Sequence, residues 1–97
     1  MIYRLVKMTF KKEEVGSFLA HFDAKKNSIR GFRGCLGLDL LNDQKDDSVF
    51  FTYSIWDNDS SLQNYRQSEL FKETWAFVKL LFAAKAEAYS MNLRDSI

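Results

Sequence analysis

A chain of 97 residues with no proline, four glycines and 28% charged residues has the composition of one compact domain over 1–97, and excludes a linker, a fibre or a disordered tail. Its formal net charge of +1, with both signs mixed along the chain, offers no electrostatic footprint for nucleic acid or an anionic membrane. No apolar run reaches the roughly 18 residues that span a bilayer, and the charged start MIYRLVKMTFKKEE lacks the apolar stretch of a signal peptide, so a cytoplasmic protein is expected.

Residues 2–10 alternate as a first strand, with Ile2, Arg4, Val6, Met8 and Phe10 on its more apolar face and Tyr3, Leu5, Lys7 and Thr9 on the other. From about Lys12 the period changes. Val15, Phe18, Leu19 and Phe22 make the stripe of an amphipathic helix, with Glu13 and Glu14 suited to its first turn and Lys25 and Lys26 to its last. Ile29 to Gly34 punctuate the chain before CLGLDLL at 35–41 alternates as a second strand. The polar turn Asn42 to Ser48 leads into a third strand, FFTYSIW at 50–56, which most simply forms an antiparallel hairpin with the second.

Past Trp56, Asp57-Asn58-Asp59 reads as a helix start, followed by a short helix carrying Leu62 and Tyr65. A second helix begins near Ser68, its N-cap, and carries Phe71, Trp75, Val78 and Phe82; the two are alternatively one bent helix. Tyr89, Met91 and Leu93 then alternate on a last strand.

The order β-α-β-β-α-β predicts an α+β, ferredoxin-like fold, a four-stranded antiparallel sheet with its helices on one face. Helices on one face leave Val49, Phe51, Tyr53, Ile55, Tyr3 and Leu5 as an apolar patch on the other. A second copy of the same sheet is the simplest cover, since a two-fold dimer needs only one self-complementary surface, so a homodimer joined through these six residues is expected.

The stretch from Phe32 to Trp75, with GFRGC, LGLDLLND and FFTYSIWDNDSSLQNYRQSELFKETW, resembles the antibiotic biosynthesis monooxygenase (ABM) family of dimeric α/β-barrel proteins. Most specific is the aromatic strand ending in Trp56, followed by a helix and the segment Ser68-Glu69-Leu70-Phe71. The resemblance implies a homodimer with a pocket in each subunit between sheet and helices. It also implies a cofactor-free monooxygenase, in which a bound quinol or other small aromatic molecule donates an electron directly to O2 in a dry pocket. The alternative within the same fold is a non-catalytic dimer that binds a small ligand or acts as a scaffold.

A haem-degrading branch of that family places an Asn on the first strand, a Trp on the third and an iron-ligating His on the second helix. By approximate register Val6, Trp56 and Trp75 stand there, so only the Trp matches, and no haem is expected. His21 lies on the wrong helix to replace the ligand. With one histidine and one cysteine, Cys35, the usual zinc sets and an intramolecular disulfide are excluded; carboxylate-only magnesium or calcium sites would remain, but no loop motif supports one and no metal is expected.

Four residues are the candidate substrate contacts. Trp56 either stacks on a flat ligand or packs in the core, and Trp75 and Phe71 belong to a helical stripe that is either core or pocket wall. Arg4 sits between Ile2 and Val6 on the inner face, where a guanidinium needs a carboxylate, open water or an anionic ligand such as a phenolate. Spacing marks no catalytic acid or base: His21 reads as a boundary residue, Cys35 as a small packing residue, and Asp43 to Asp47 as a solvated turn.

Overall fold

The computed structural model describes residues 1–97. In chain order the elements are β1 (Ile2–Thr9), a 3-10 turn (Lys12–Glu14), α1 (Val15–Arg30), β2 (Cys35–Asn42), β3 (Val49–Trp56), α2 (Asp59–Arg66), α3 (Glu69–Val78), a second 3-10 turn (Lys79–Leu81) and β4 (Glu87–Asn92). The strands form one antiparallel sheet in the order β2-β3-β1-β4, the split β-α-β arrangement.

Each element follows from local chemistry. The side chain of Asn58 accepts from the Ser61 backbone N–H and starts α2. Ser68 does the same for the Phe71 N–H and starts α3 at 3.1 Å, while its own hydroxyl donates to the Tyr65 carbonyl. These caps make α2 and α3 two helices rather than one bent helix. In the turn between β2 and β3, the Asp43 carboxylate accepts from the Lys45 and Asp46 backbone N–H groups, and Asp46 accepts from Ser48, so the acidic run is an ordered solvent-facing turn.

Gly34, just before β2, has φ +89°, a backbone region that L side chains rarely adopt. A Cβ there would also drive into the Ser61 side chain and approach the Asp57 carboxylate, so this glycine lets the β2 entrance and α2 lie against each other.

The structure departs from the sequence reading at several points: Glu13 and Glu14 lie in the 3-10 turn ahead of α1, and Leu93 lies past the end of β4. α1 runs on to Arg30, which puts Lys25 and Lys26 in its middle and buries Ile29. Leu19 points outward, 41% exposed, because the buried stripe continues through Phe18, Phe22 and Ile29. Phe82 keeps the helical spacing of Phe71 and Trp75 but lies outside the helix: α3 ends at Val78, and Phe82 is extended and bridged to Phe10. The Lys11 N–H to Leu81 and Ala83 N–H to Thr9 backbone bonds draw this stretch onto the end of β1.

Pairing registers put Arg4, Val6 and Met8 of β1 beside Ser54, Thr52 and Phe50 of β3, on the face the helices cover. The core there is divided. At one end Met8, Phe10, Phe18, Phe50, Val78 and Leu81 pack together; at the other, Cys35, Trp56 and Leu62 do, with Ile2, Phe32 and Tyr65 against them. On the opposite face, Tyr3, Leu5, Phe51, Tyr53 and Ile55 are half-buried by their neighbours, and Tyr89 and Met91 of β4 are exposed beside them. No helix of this chain covers that side.

Candidate ligand cavity between sheet and helices

Between the two halves of the core lies a cavity of about 290 Å³, lined by residues of both. Met8, Phe18 and Val78 contribute from one half, Trp56 and Leu62 from the other, and Phe71 and Trp75 of α3 span the space between. Its volume stands at the lower edge of the range for small-molecule sites, so it suits a compact ligand. The exposed Arg66 and Ala88 mark where it meets solvent.

Trp56 forms a wall. It is 1% exposed, and its indole N–H donates to Ser54 Oγ at 3.0 Å. One ring face is taken by Tyr65, with centroids 5.0 Å apart and planes 25° from parallel, and Phe32 meets it edge-on at 6.5 Å. The two small hydroxyls on this face of β3 thus have separate places: Ser54 receives the indole, and Thr52 lines the cavity.

Trp75 and Phe71 stack on each other, 5.9 Å apart and 8° from parallel, and both are half-buried. Tyr65 meets Phe71 edge-on at 5.3 Å, which joins α2 and α3 into one aromatic wall. Burial, aided by the nearby Cys35 thiol, pushes the Tyr65 phenol up to about 12, so it is a neutral O–H donor at physiological pH.

Arg4 projects from β1 into this cavity and donates from Nη1 to Ser90 Oγ of β4 at 2.8 Å. No carboxylate pairs with it; the chain's two ion pairs join Lys7 with Glu87 and Lys26 with Asp23. Burial, and then the positive charge of Arg66, lower its hold on its proton, although a guanidinium stays charged at neutral pH. Arg66, in the last turn of α2, lines the same cavity and donates to Gln63 Oε1 at 3.4 Å. The wall carries a further unused polar atom: Thr74 lines the cavity, and its Oγ1 is buried with no hydrogen-bond partner.

All four predicted contacts therefore line one cavity, as does Val6. Tyr65, Arg66 and Thr74 were not singled out by sequence reasoning. The lining contains no His, Cys, Asp or Glu, and no cluster of three or more such residues that could hold a metal ion occurs in the chain. His21 stacks on Phe77 at 4.5 Å on the α1–α3 contact, outside the lining. For haem the fit is poor: the cavity presents no imidazole or thiolate to iron, and its phenol keeps its proton. Cys35 is buried, donates weakly to the Gly37 carbonyl at 3.5 Å, and has its thiol pKa raised by that burial, which makes it a packing residue. Arg30 reaches its backbone carbonyl instead, at 2.8 Å.

The fold is that of a ferredoxin-like α+β protein with a cavity between sheet and helices. The profile of the antibiotic biosynthesis monooxygenase family matches residues 1–76, and the chain belongs to that family. Among solved structures it is similar to an antibiotic biosynthesis monooxygenase at TM-score 0.92 and 20% identity, over 98% of this chain and 100% of that one. It is also similar to a conserved protein from Methanosarcina mazei Go1, at TM-score 0.91 and 18% identity over 97% and 94% of the two chains. A third, Rv0793 from Mycobacterium tuberculosis, superposes at TM-score 0.90 and 16% identity over 98% and 96%. At such identities the likeness is one of fold. A comparison with curated proteins finds no match.

Proposed function

We propose that the protein is a cofactor-independent monooxygenase that oxidises a small phenol or quinol with O2 in this cavity. The observation that carries the reading is the divided core. A chamber of about 290 Å³ walled by Trp56, Tyr65, Phe71 and Trp75 forgoes packing worth on the order of several kcal/mol, which a ligand would restore. Its rings would grip a flat aromatic body and exclude water, while Arg4 faces the region where a phenol oxygen would gather charge.

With 1-naphthol as the type substrate the reaction balances without another reductant. One atom of O2 bonds to the ring carbon para to the hydroxyl, the other leaves as water with the two displaced hydrogens, and the ring gives up four electrons to become the quinone. The protein's part is to position the ring, favour its ionised form and keep the chamber dry. Oxygen uptake measured with a panel of naphthols and hydroquinones tests this: enzyme-dependent uptake in metal-free buffer supports it, and rates equal to the uncatalysed reaction reject it.

Two further parts of the reading concern assembly and place. The apolar sheet face of Tyr3, Leu5, Phe51, Tyr53 and Ile55, extended by Tyr89 and Met91, supports a homodimer joined sheet to sheet. Val49 is already 8% exposed within the single chain, so it has little area left to offer such a partner. No helix is long and apolar enough to cross a membrane, and the lone thiol is unpaired and buried, both of which suit a cytoplasmic setting.

A second reading has its own observation. No side chain that lines the cavity can accept a proton at neutral pH, since its titratable groups are two arginines and a phenol held at about 12. A non-catalytic ligand-binding dimer needs no such base. Saturable binding of naphthols without oxygen uptake would favour it.

A further inference from the structure

The cavity wall is cationic as well as apolar. Of the 19 residues that line it, two are arginines and none is an aspartate, glutamate, histidine or lysine. Each guanidinium has only a neutral partner: Ser90 Oγ for Arg4 and Gln63 Oε1 for Arg66. Neither arginine makes an ion pair: Glu87 pairs with Lys7, and Asp59 accepts from the Gln63 amide at 3.3 Å. Arg4 and Arg66 come from different elements, β1 and α2, so their presence on one chamber is a product of the tertiary fold and not of local sequence. Half-burying a cation beside a like charge with no counter-ion is unfavourable, and an incoming anion removes that penalty.

We infer that the cavity selects an aromatic oxyanion, its ring among Trp75, Phe71 and Tyr65 and its negative oxygen held at the mouth by Arg4 and Arg66. The inference rests on the reading of this cavity as a ligand site. A guanidinium presents a planar fork of N–H donors, which suits a carboxylate through two parallel hydrogen bonds and a phenolate through one or two. The neutral Tyr65 hydroxyl adds a donor on the same wall. The same arrangement supplies what the wall lacks. With no base in the lining, two fixed cations lower the pKa of a bound phenol, so that the ligand loses its proton to water and enters as the electron-rich anion.

A matched pair of ligands tests the inference. Calorimetric titration at about pH 7 compares 1-naphthoate with 1-naphthamide, which share a ring and differ in charge. Naphthoate is expected to bind at least about tenfold more tightly, the scale of one charge-assisted hydrogen bond. Arg66→Gln, on an exposed residue whose loss leaves packing intact, should remove about tenfold of that preference while naphthamide affinity moves by no more than about twofold. Arg4→Lys, which keeps the charge and gives up the fork, should retain part of the preference where Arg4→Gln loses it.

Equal affinity for the two ligands, or a preference that survives both Arg66→Gln and Arg4→Gln, overturns the anion inference and leaves the cavity reading standing. Binding of neither ligand overturns both. A spectrophotometric titration of 1-naphthol then separates the two oxyanions. A bound naphthol that ionises at lower pH than the free one identifies a phenolate site, whereas unchanged ionisation alongside the naphthoate preference identifies a carboxylate site.

Discussion

Tyr65 lies on the face of Trp56, ring centroids 5.0 Å apart and planes 25° from parallel, and this contact fixes α2 against the end of β3. It also closes one end of the cavity. Tyr65→Ala should therefore cost about 3 kcal/mol in stability, as removal of a largely buried ring does, and expose Trp56 to solvent. Tyr65→Phe keeps the stack and should cost no more than about 1 kcal/mol, yet lower turnover of a naphthol by removing a donor. Chemical denaturation and steady-state oxygen uptake, run side by side, separate the two effects.

The same residue gives a pH dependence at the alkaline end. The folded protein holds the Tyr65 proton up to about 12, whereas the unfolded chain releases it near the ordinary value of 10. Between those values the unfolded state carries fewer protons, so stability contributed below pH 10 falls as pH rises towards 12, by about 2 kcal/mol. Denaturation midpoints across this range should decline in the wild type and decline less in Tyr65→Phe. An identical slope in both would assign the loss to other groups.

His21 acts in the opposite direction. Burial against Phe77, and then the charge of Lys25, lower its pKa from 6.5, so the unfolded chain takes up a proton before the folded one does. Its contribution is complete above 6.5 and is lost as pH falls through that value and below. His21→Phe keeps the stack on Phe77 and should flatten the acid side of the stability profile measured by thermal unfolding.

Gly34 should be intolerant of a side chain. Gly34→Ala places a Cβ at φ +89° and against Ser61, and is expected to cost about 2 kcal/mol or more in a denaturant titration. Ser61→Gly in the same chain should return only part of that loss, because it relieves the clash but not the backbone strain.

The element order was legible because each period is strong where the core demands it. Val15, Phe18 and Phe22 switch the pattern to helix, the alternation of Val49 to Trp56 survives as β3, and Ser68 announces α3. Phe82 misled for a physical reason: its spacing continues the stripe of Phe71, Trp75 and Val78, but backbone bonds to the end of β1 extend the chain there. Of the cavity, Arg4 stood out because a charge interrupts an apolar face. Arg66 and Tyr65 did not, since both sit on a short polar helix where an arginine reads as solvated and a tyrosine as packing. Only the position of α2 over the cavity mouth gives them another role. Trp56, expected either to stack on a ligand or to pack in the core, is 1% exposed with Tyr65 on its ring face.

The proposed sheet-to-sheet dimer has a compact test. Light scattering on the eluting protein should give twice the 11.4 kDa of one chain, and Tyr53→Lys, with a charge set in the middle of the apolar face, should reduce it to a single chain. A wild-type monomer at micromolar concentration would contradict the pairing.

Oxygenation in the cavity is tested most directly by the fate of labelled dioxygen. One turnover of 1-naphthol under 18O2 in metal-free buffer, with the quinone reduced at once to block exchange with water, should give a product carrying one heavy oxygen per molecule, and Arg66→Gln should slow its formation. Unlabelled product, or a yield no greater than that without enzyme, would contradict the account.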